Sequence, residues 1–228
     1  MVAGFDSTPG VTASQPLPRL RACIFDLDGT LVDSLRDIAE SVNHCLELLG
    51  LPTRPVSDYR YLVGEGIPTL CERAIGQSRP DLVGRLSELG RTYYRTRLLV
   101  HTRPYPGVPE AVERLRRRGV ALAVLSNKPH EATVRIVRAF WPNGEFAAVY
   151  GYREEELRKP SPAYVLRICA ELAVSPADTW VVGDTPTDIE TSRRAQAIGI
   201  GVTWGFRTRA ELQAAGARYI VDDPAELA

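Results

Sequence analysis

Cys23-Ile24-Phe25-Asp26-Leu27-Asp28-Gly29-Thr30-Leu31-Val32-Asp33-Ser34 is the stretch that decides how this chain is read. Its apolar start, Ala22 to Phe25, predicts a buried strand running from about Leu20 to Asp26. Two carboxylates, Asp26 and Asp28, stand where that run ends, and Gly29 follows at once. Side chains alternate along a strand, so residues two apart share a face while the chain stays extended. Acids crowded on one face repel each other unless a cation lies between them or one keeps a proton. A turn of the Asp-x-Asp-Gly kind is the structural alternative. Such a turn uses one aspartate and gives no reason for a second.

Beyond Pro104-Tyr105-Pro106-Gly107-Val108, apolar runs alternate with helical patterns. Strands are predicted over residues 120–125, 147–150, 179–182, 198–202 and 219–221. Helices are predicted over residues 109–118, 130–140, 162–172, 188–197 and 209–215. This alternation implies a parallel sheet covered on both faces, an α/β Rossmann-like core. Between the first strand and the second the texture differs. Ile38, Val42, Cys45, Leu46 and Leu49 recur at helical spacing, and further helices are predicted over residues 67–75 and 82–96. No strand-like run interrupts them. The expected organisation is a catalytic core of residues 19–34 and 104–228, an inserted all-helical cap of residues 35–103, and a disordered tail over residues 1–18, which lacks apolar periodicity.

Composition narrows the function classes. The 228 residues carry 28 basic and 28 acidic side chains, which argues against a broad nucleic-acid surface. The arginines at 114, 116, 117 and 118 read as the last turn of a helix, with Gly119 as its stop. Cys23, Cys45, Cys71 and Cys169 form no Cys-x-x-Cys pair, so neither a disulfide framework nor a zinc cluster is expected. No apolar run approaches the roughly 20 residues of a membrane span. A cytoplasmic location is the default, with no membrane or nucleic-acid partner.

Ligands of open α/β sheets bind outside the carboxyl ends of the strands. At those ends stand Asp26-x-Asp28, then Ser126-Asn127-Lys128, and then Gly183-Asp184-Thr185-Pro186-Thr187-Asp188. Lys159 lies in the loop before the fourth helix of the alternation. Taken singly, each has an ordinary reading. Ser126 suits a turn, Lys159 a solvated site before a helix, and Asp188 a helix start three residues after a Thr185 cap. Their succession along one edge is harder to explain that way. Phosphoryl transfer through a carboxylate nucleophile uses this set. One aspartate attacks phosphorus and a second moves the proton of the leaving group. A hard divalent cation, a hydroxyl, backbone N–H groups and a lysine hold the oxygens.

Asp26-Leu27-Asp28-Gly29-Thr30, Ser126-Asn127-Lys128, Lys159-Pro160 and Gly183-Asp184 with Asp188 together resemble the haloacid dehalogenase superfamily. Leu31 to Ser34, Val63-Gly64-Glu65-Gly66, the 104–108 segment and Asn127-Lys128-Pro129 are similar to its phosphoglycolate phosphatase-type branch. The resemblance implies that Asp26 is the nucleophile and a magnesium ligand, and that Asp28 is the acid/base and binds the ion through its carbonyl. It implies that Asp184 completes the metal site with Asp188 behind it, and that Ser126, Asn127 and Lys159 hold phosphate. One departure is Thr185-Pro186, where the branch more often has Ser after the first aspartate.

The expected activity is magnesium-dependent hydrolysis of a small phosphorylated metabolite by a monomer or homodimer. A pyrophosphatase, a sugar-phosphate phosphatase or mutase, and a phosphonate hydrolase share the fold. A non-catalytic phosphate-binding module is the rival from another class, one that loss of Asp26 or Asp28 would mark. Substrate choice is expected in the cap. The loop Gly64-Glu65-Gly66 is the candidate there, with Arg60, Arg73 and Tyr94 as further candidates.

Overall fold

The computed structural model describes residues 20–228, so the tail expected over residues 1–18 lies outside the described residues. Strand β1 (Ala22–Phe25) is fully buried and pairs in parallel with β4 (Ala121–Pro129) on one side and β6 (Thr179–Gly183) on the other. The sheet continues through β5 (Ala148–Tyr152), β7 (Ile198–Val202) and β8 (Tyr219–Val221) in the order β5-β4-β1-β6-β7-β8, every pair parallel. Counted along the chain, these strands lie 3-2-1-4-5-6. That doubly wound order opens a crevice where it reverses, between β1 and β6.

The alternation within β1 splits the core in two. Cys23 and Phe25 join the cluster under α5 (Val108–Arg117) and α6 (His130–Phe140), with Val112, Leu115, Ile136 and Val137. Ile24 faces the other way, onto Tyr164, Val165 and Ile168 of α7 (Ala163–Glu171), while α8 (Pro186–Arg194) covers the same side of the sheet with Ala195 just after it. Helix α9 (Arg209–Ala214) links the last two strands. The arginine-rich end of α5 stops where Gly119 takes a left-handed φ of +77°, in keeping with its sequence.

Between β1 and α5 lie α1 (Leu35–Leu48), α2 (Tyr59–Leu62), α3 (Ile67–Ile75) and α4 (Val83–Arg97). They close around their own apolar cluster, which includes Ile38, Val42, Leu46, Tyr59, Leu70 and Leu86. Two connections join this helical unit to the sheet. They pair with each other as β2 (Val32–Asp33) and β3 (Arg103–Pro104), antiparallel. The buried Asp37 carboxylate fastens the pair further, accepting from the His101 and Thr102 N–H groups and from the Thr102 hydroxyl at 2.7 to 3.0 Å. The two-residue strands carry no periodic signal, and the sequence does not announce them.

Two boundaries that bear on the site differ from expectation. Strand β4 runs to Pro129 rather than ending at residue 125, because an irregular step lets Pro129 pair with Tyr152. Ser126, Asn127 and Lys128 are therefore extended backbone, not a turn. Helix α8 begins at Pro186, where the fixed φ suits a first helical position, with Thr185 as its cap.

Candidate active site

The two motif carboxylates are not left to repel each other. Asp26 remains on the sheet, its N–H donating to the Val182 carbonyl, while the chain turns through Gly29 at φ +86°. Each acid then takes its own buried ammonium. Lys159 Nζ lies 3.0 Å from Asp26 Oδ1, and Lys128 Nζ lies 2.9 and 3.0 Å from the two oxygens of Asp28. Ser34 also donates to Asp28 Oδ1 at 2.5 Å. Burial alone would push both lysines down. For Lys159 the carboxylates Asp188 and Asp26 outweigh it, and for Lys128 the Asp28 carboxylate and the Tyr94 hydroxyl do, so both ammonium groups are held above the usual range.

Asp26, Asp184 and Asp188 bring ligand oxygens within 4.8 Å of one another, all three residues buried. Burial pushes Asp184 up to about 8, with the Asp188 and Asp26 charges adding to it, against hydrogen bonds from the Phe206 N–H at 2.8 Å and the Thr30 hydroxyl at 2.9 Å. Asp26 is raised to about 7, again chiefly by burial, with Lys159 working against the rise. Such a set of hard, desolvated oxygens is what a divalent cation relieves. The backbone leaves room for it by crowding nothing else in: a Cβ on Gly29 or Gly205 would stand 2.3 or 2.4 Å from Asp184. Within the cluster Asp188 is already engaged. Its Oδ1 takes Lys159 at 2.6 Å, and its Oδ2 takes the Thr185 N–H and hydroxyl. It holds its neighbours in place, as Thr30 and Phe206 do for Asp184, each giving a donor to one of its oxygens.

Ser126 is buried beside Asp26 and lines the adjoining cavity, where its hydroxyl accepts weakly from the Lys128 N–H at 3.3 Å. The Asn127 side chain is spent on protein. Its amide donates to the Gly64 and Lys159 carbonyls, each at 3.0 Å, and its oxygen accepts the Lys159 N–H at 2.8 Å. For a phosphate oxygen it has only its backbone N–H to offer. Asn127 thereby ties the lysine's loop to the loop that enters from the helical unit.

That loop divides. Gly64 and Gly66 line the cavity, whereas Glu65 turns to Arg73 at 2.5 Å and is half exposed. Arg60 donates to the Gly205 carbonyl. Of the cap candidates only Tyr94 joins the two glycines at the cavity wall, together with Ile38, Val42, Val63, Ile67 and Leu70. The cavity measures about 80 Å³.

Several participants are not evident from sequence. Thr30 and Ser34 lie inside the first motif, but nothing in their spacing tells which aspartate each supports. The segment Trp204 to Arg207 carries no motif of its own. Trp204 Nε1 donates to the Thr30 carbonyl, Phe206 supplies its N–H to Asp184, and the Arg207 guanidinium donates to the Arg60 and Val63 carbonyls. One signal does point to it, since this segment follows the carboxyl end of β7, and the strand-end rule applies there as well.

A family model for haloacid dehalogenase-like hydrolases matches residues 20–196. The phosphoglycolate phosphatase of Aquifex aeolicus is 35% identical over 188 residues, 82% of this chain and 86% of that protein. That of Chromobacterium violaceum is 34% identical over 216 residues, 92% and 96% of the two chains. Among solved structures, a predicted phosphoglycolate phosphatase from Haemophilus somnus superposes with a TM-score of 0.85 at 29% identity, covering 92% of this chain and 97% of that one. Among the described residues no helix is long and apolar enough to cross a membrane. With Asp26, Asp184 and Asp188 gathered at the β1/β6 crevice and relatives of this kind along most of its length, the chain belongs to the haloacid dehalogenase-like hydrolases and is a phosphoric monoester hydrolase.

Proposed function

We propose that this chain is a magnesium-dependent phosphatase that hydrolyses a small, phosphoglycolate-like ester through an aspartyl-phosphate on Asp26. The observation that carries the reading is how Asp26 is held. Its Oδ1 is pinned by the Leu27 N–H at 2.7 Å and by Lys159, and among the described residues no hydrogen bond reaches Oδ2. That oxygen is free to attack phosphorus in line with the leaving group. As the new O–P bond forms and the ester P–O bond breaks, Asp28, carrying a proton at the start of the cycle, gives it to the departing alkoxide. Asp28 then takes a proton from water, which attacks the same phosphorus, releasing inorganic phosphate and restoring the Asp26 carboxylate. Lys159 and the Ser126 hydroxyl would hold the phosphate oxygens as charge moves.

Asp26 and Asp184, with the Asp28 carbonyl, would hold the magnesium ion, which supplies charge neutralisation for an anionic nucleophile meeting an anionic ester. The helical unit of residues 35–103 serves as the cap over the core of residues 19–34 and 104–228. The test is phosphate release from 2-phosphoglycolate by the purified protein, with acid-quenched protein assayed for retained phosphate. Release with magnesium, none with chelator, and label on Asp26 are expected. Full turnover in chelator, or label on another residue, would overturn the reading.

A further inference from the structure

Arg207 is not part of the cavity wall, yet it holds a section of that wall in place. It follows the carboxyl end of β7 on the core, and its side chain is 11% exposed. The guanidinium donates to the carbonyls of Arg60 and Val63 at the end of α2, and lies 5.3 Å from the centroid of the Tyr61 ring. From the helical unit, Arg60 donates in turn to the Gly205 carbonyl at 3.3 Å. The bonds cross between the two units in both directions.

On the core side the segment is fixed to the acidic cluster. Trp204 Nε1 donates to the Thr30 carbonyl at 3.0 Å, and the Phe206 N–H donates to Asp184 at 2.8 Å. Gly205 packs so closely that a Cβ there would stand 2.2 Å from the Gly29 carbonyl oxygen. On the helical side, Val63 opens the loop Val63-Gly64-Glu65-Gly66. Val63, Gly64 and Gly66 line the cavity together with Asp26, Asp28 and Ser126. Gly64 and Gly66 take φ of +125° and +85°, so glycine gives this loop few torsional restraints of its own. Its first two carbonyls take donors from the core, Val63 from Arg207 and Gly64 from Asn127.

Stability alone is a poor reason for such an arginine. Burial pulls its guanidinium below the usual range, with Asp184 and Glu211 offsetting that only in part, and the ion pair with Glu211 spans 3.9 Å. A desolvated charge so loosely paired is often matched by an apolar side chain of similar volume. What an apolar residue cannot supply is a rigid fork of N–H donors that serves two carbonyls at once.

We propose that Arg207 is a positioning residue for phosphate-ester hydrolysis: fixed to the core beside Asp184, it holds the carbonyls that set where the loop of residues 63–66 stands over the reacting centre. It acts through that loop and not by contact with the substrate. The inference rests on the reacting centre proposed around Asp26. A displacement of about 1 Å in such a site costs on the order of 10² in rate.

The experiment measures kcat/KM for 2-phosphoglycolate and for an aryl phosphate, beside thermal transitions, with the full chain and its Arg207→Ala and Arg207→Lys variants. Arg207→Ala is expected to lose on the order of 10² in kcat/KM while it stays folded at the assay temperature. Millimolar guanidinium is expected to restore about tenfold, the worth of one charge-assisted hydrogen bond, and sodium chloride at equal ionic strength is not. The Tyr61 ring that would flank the added ion is 52% exposed, so the vacated place opens to solvent. Arg207→Lys, whose ammonium lacks the fork, is expected to fall about tenfold with its folded fraction unchanged. A role in folding alone gives the opposite pattern, in which activity follows the folded fraction and guanidinium lowers both. That pattern, or an Arg207→Ala variant within about threefold of the unsubstituted chain, overturns the inference and leaves the phosphatase reading standing. If Arg207→Ala does not fold, Arg207→Lys decides, and a kcat/KM within about threefold of the unsubstituted chain overturns the inference. Release of phosphate from neither ester by the unsubstituted chain ends both.

Discussion

Asp26→Asn separates what the proposed nucleophile does for chemistry from what it costs the fold. The amide fills nearly the same space and keeps an oxygen for the Leu27 N–H, but it cannot attack phosphorus. Removing a nucleophile elsewhere has lowered kcat by about 10⁶, equivalent to roughly 8 kcal/mol of barrier. A loss of at least 10⁴ in phosphate release is expected. Stability should move the other way. The Asp26 carboxyl is raised from 3.8 to about 7, chiefly by burial. A group raised in the folded state contributes stability that is complete below its unfolded pKa and lost as pH rises through the folded value. Wild-type protein in chelator therefore loses stability between about pH 4 and pH 7 on this account, and the neutral amide does not. Every tenfold difference in proton affinity between the folded and unfolded states is worth about 1.4 kcal/mol. Part of that gain is withdrawn because Lys159, left with Asp188 alone at 2.6 Å, loses one of its two carboxylates. A net gain on the order of 1–2 kcal/mol at pH 8 is expected, shrinking toward pH 4.5. Phosphate release and thermal melts in chelator at both pH values supply the readouts. Turnover within tenfold of wild type, or a variant that melts lower at pH 8, would refute the reasoning.

Magnesium should raise the melting temperature more at pH 8.5 than at pH 6.5, because the ion needs Asp184 ionised and burial has pushed that carboxyl up to about 8. An effect that is flat or shrinks with pH counts against Asp184 as a ligand. Calcium should replace magnesium poorly in turnover assays, since its looser shell displaces the attacking oxygen; equal rates with the two ions would remove that geometric argument. Asp37→Ala strands the His101 and Thr102 donors at the foot of the helical unit, and should cost about 3 kcal/mol in stability, measured by denaturant unfolding. A loss below about 1 kcal/mol would show that the β2–β3 pairing suffices there.

Much of this was legible because the physics is local. The continuous apolar runs of β1 and β6 can exist only in a sheet covered on both faces, and the strand-end rule then gathers Asp26, Ser126 and Asp184 without further information. Helix bounds such as Ile67–Ile75 and His130–Phe140 follow from punctuation by glycine and proline. What stayed hidden is what depends on partners distant in the chain. Lys128 reads as one more member of a motif until its pairing with Asp28, 100 residues away in sequence, is known. Asn127 reads as a phosphate ligand, yet its amide is consumed by Gly64 and Lys159. Glu65 reads as a group aimed into the site, but Arg73 on α3 takes its carboxylate. Periodicity reports which face of an element is apolar, and it carries nothing about which polar groups meet across elements.

The segment after β7 shows how the acidic cluster and the helical unit share parts. Phe206 gives its N–H to Asp184, while its ring is buried with Tyr59, Leu70 and Leu86 in the helical cluster. Arg207 next to it donates to the carbonyls of Arg60 and Val63 at α2, and Asn127 donates to Gly64. Swinging the helical unit about the β2–β3 pair must break these few contacts together. Hydrogen bonds to backbone carbonyls contribute about 0.5–1.5 kcal/mol each, and exposing a phenylalanine costs about 1.5–3 kcal/mol. Phe206 thus ties the acidic cluster to the helical unit, through its backbone to Asp184 and through its ring to Tyr59, Leu70 and Leu86.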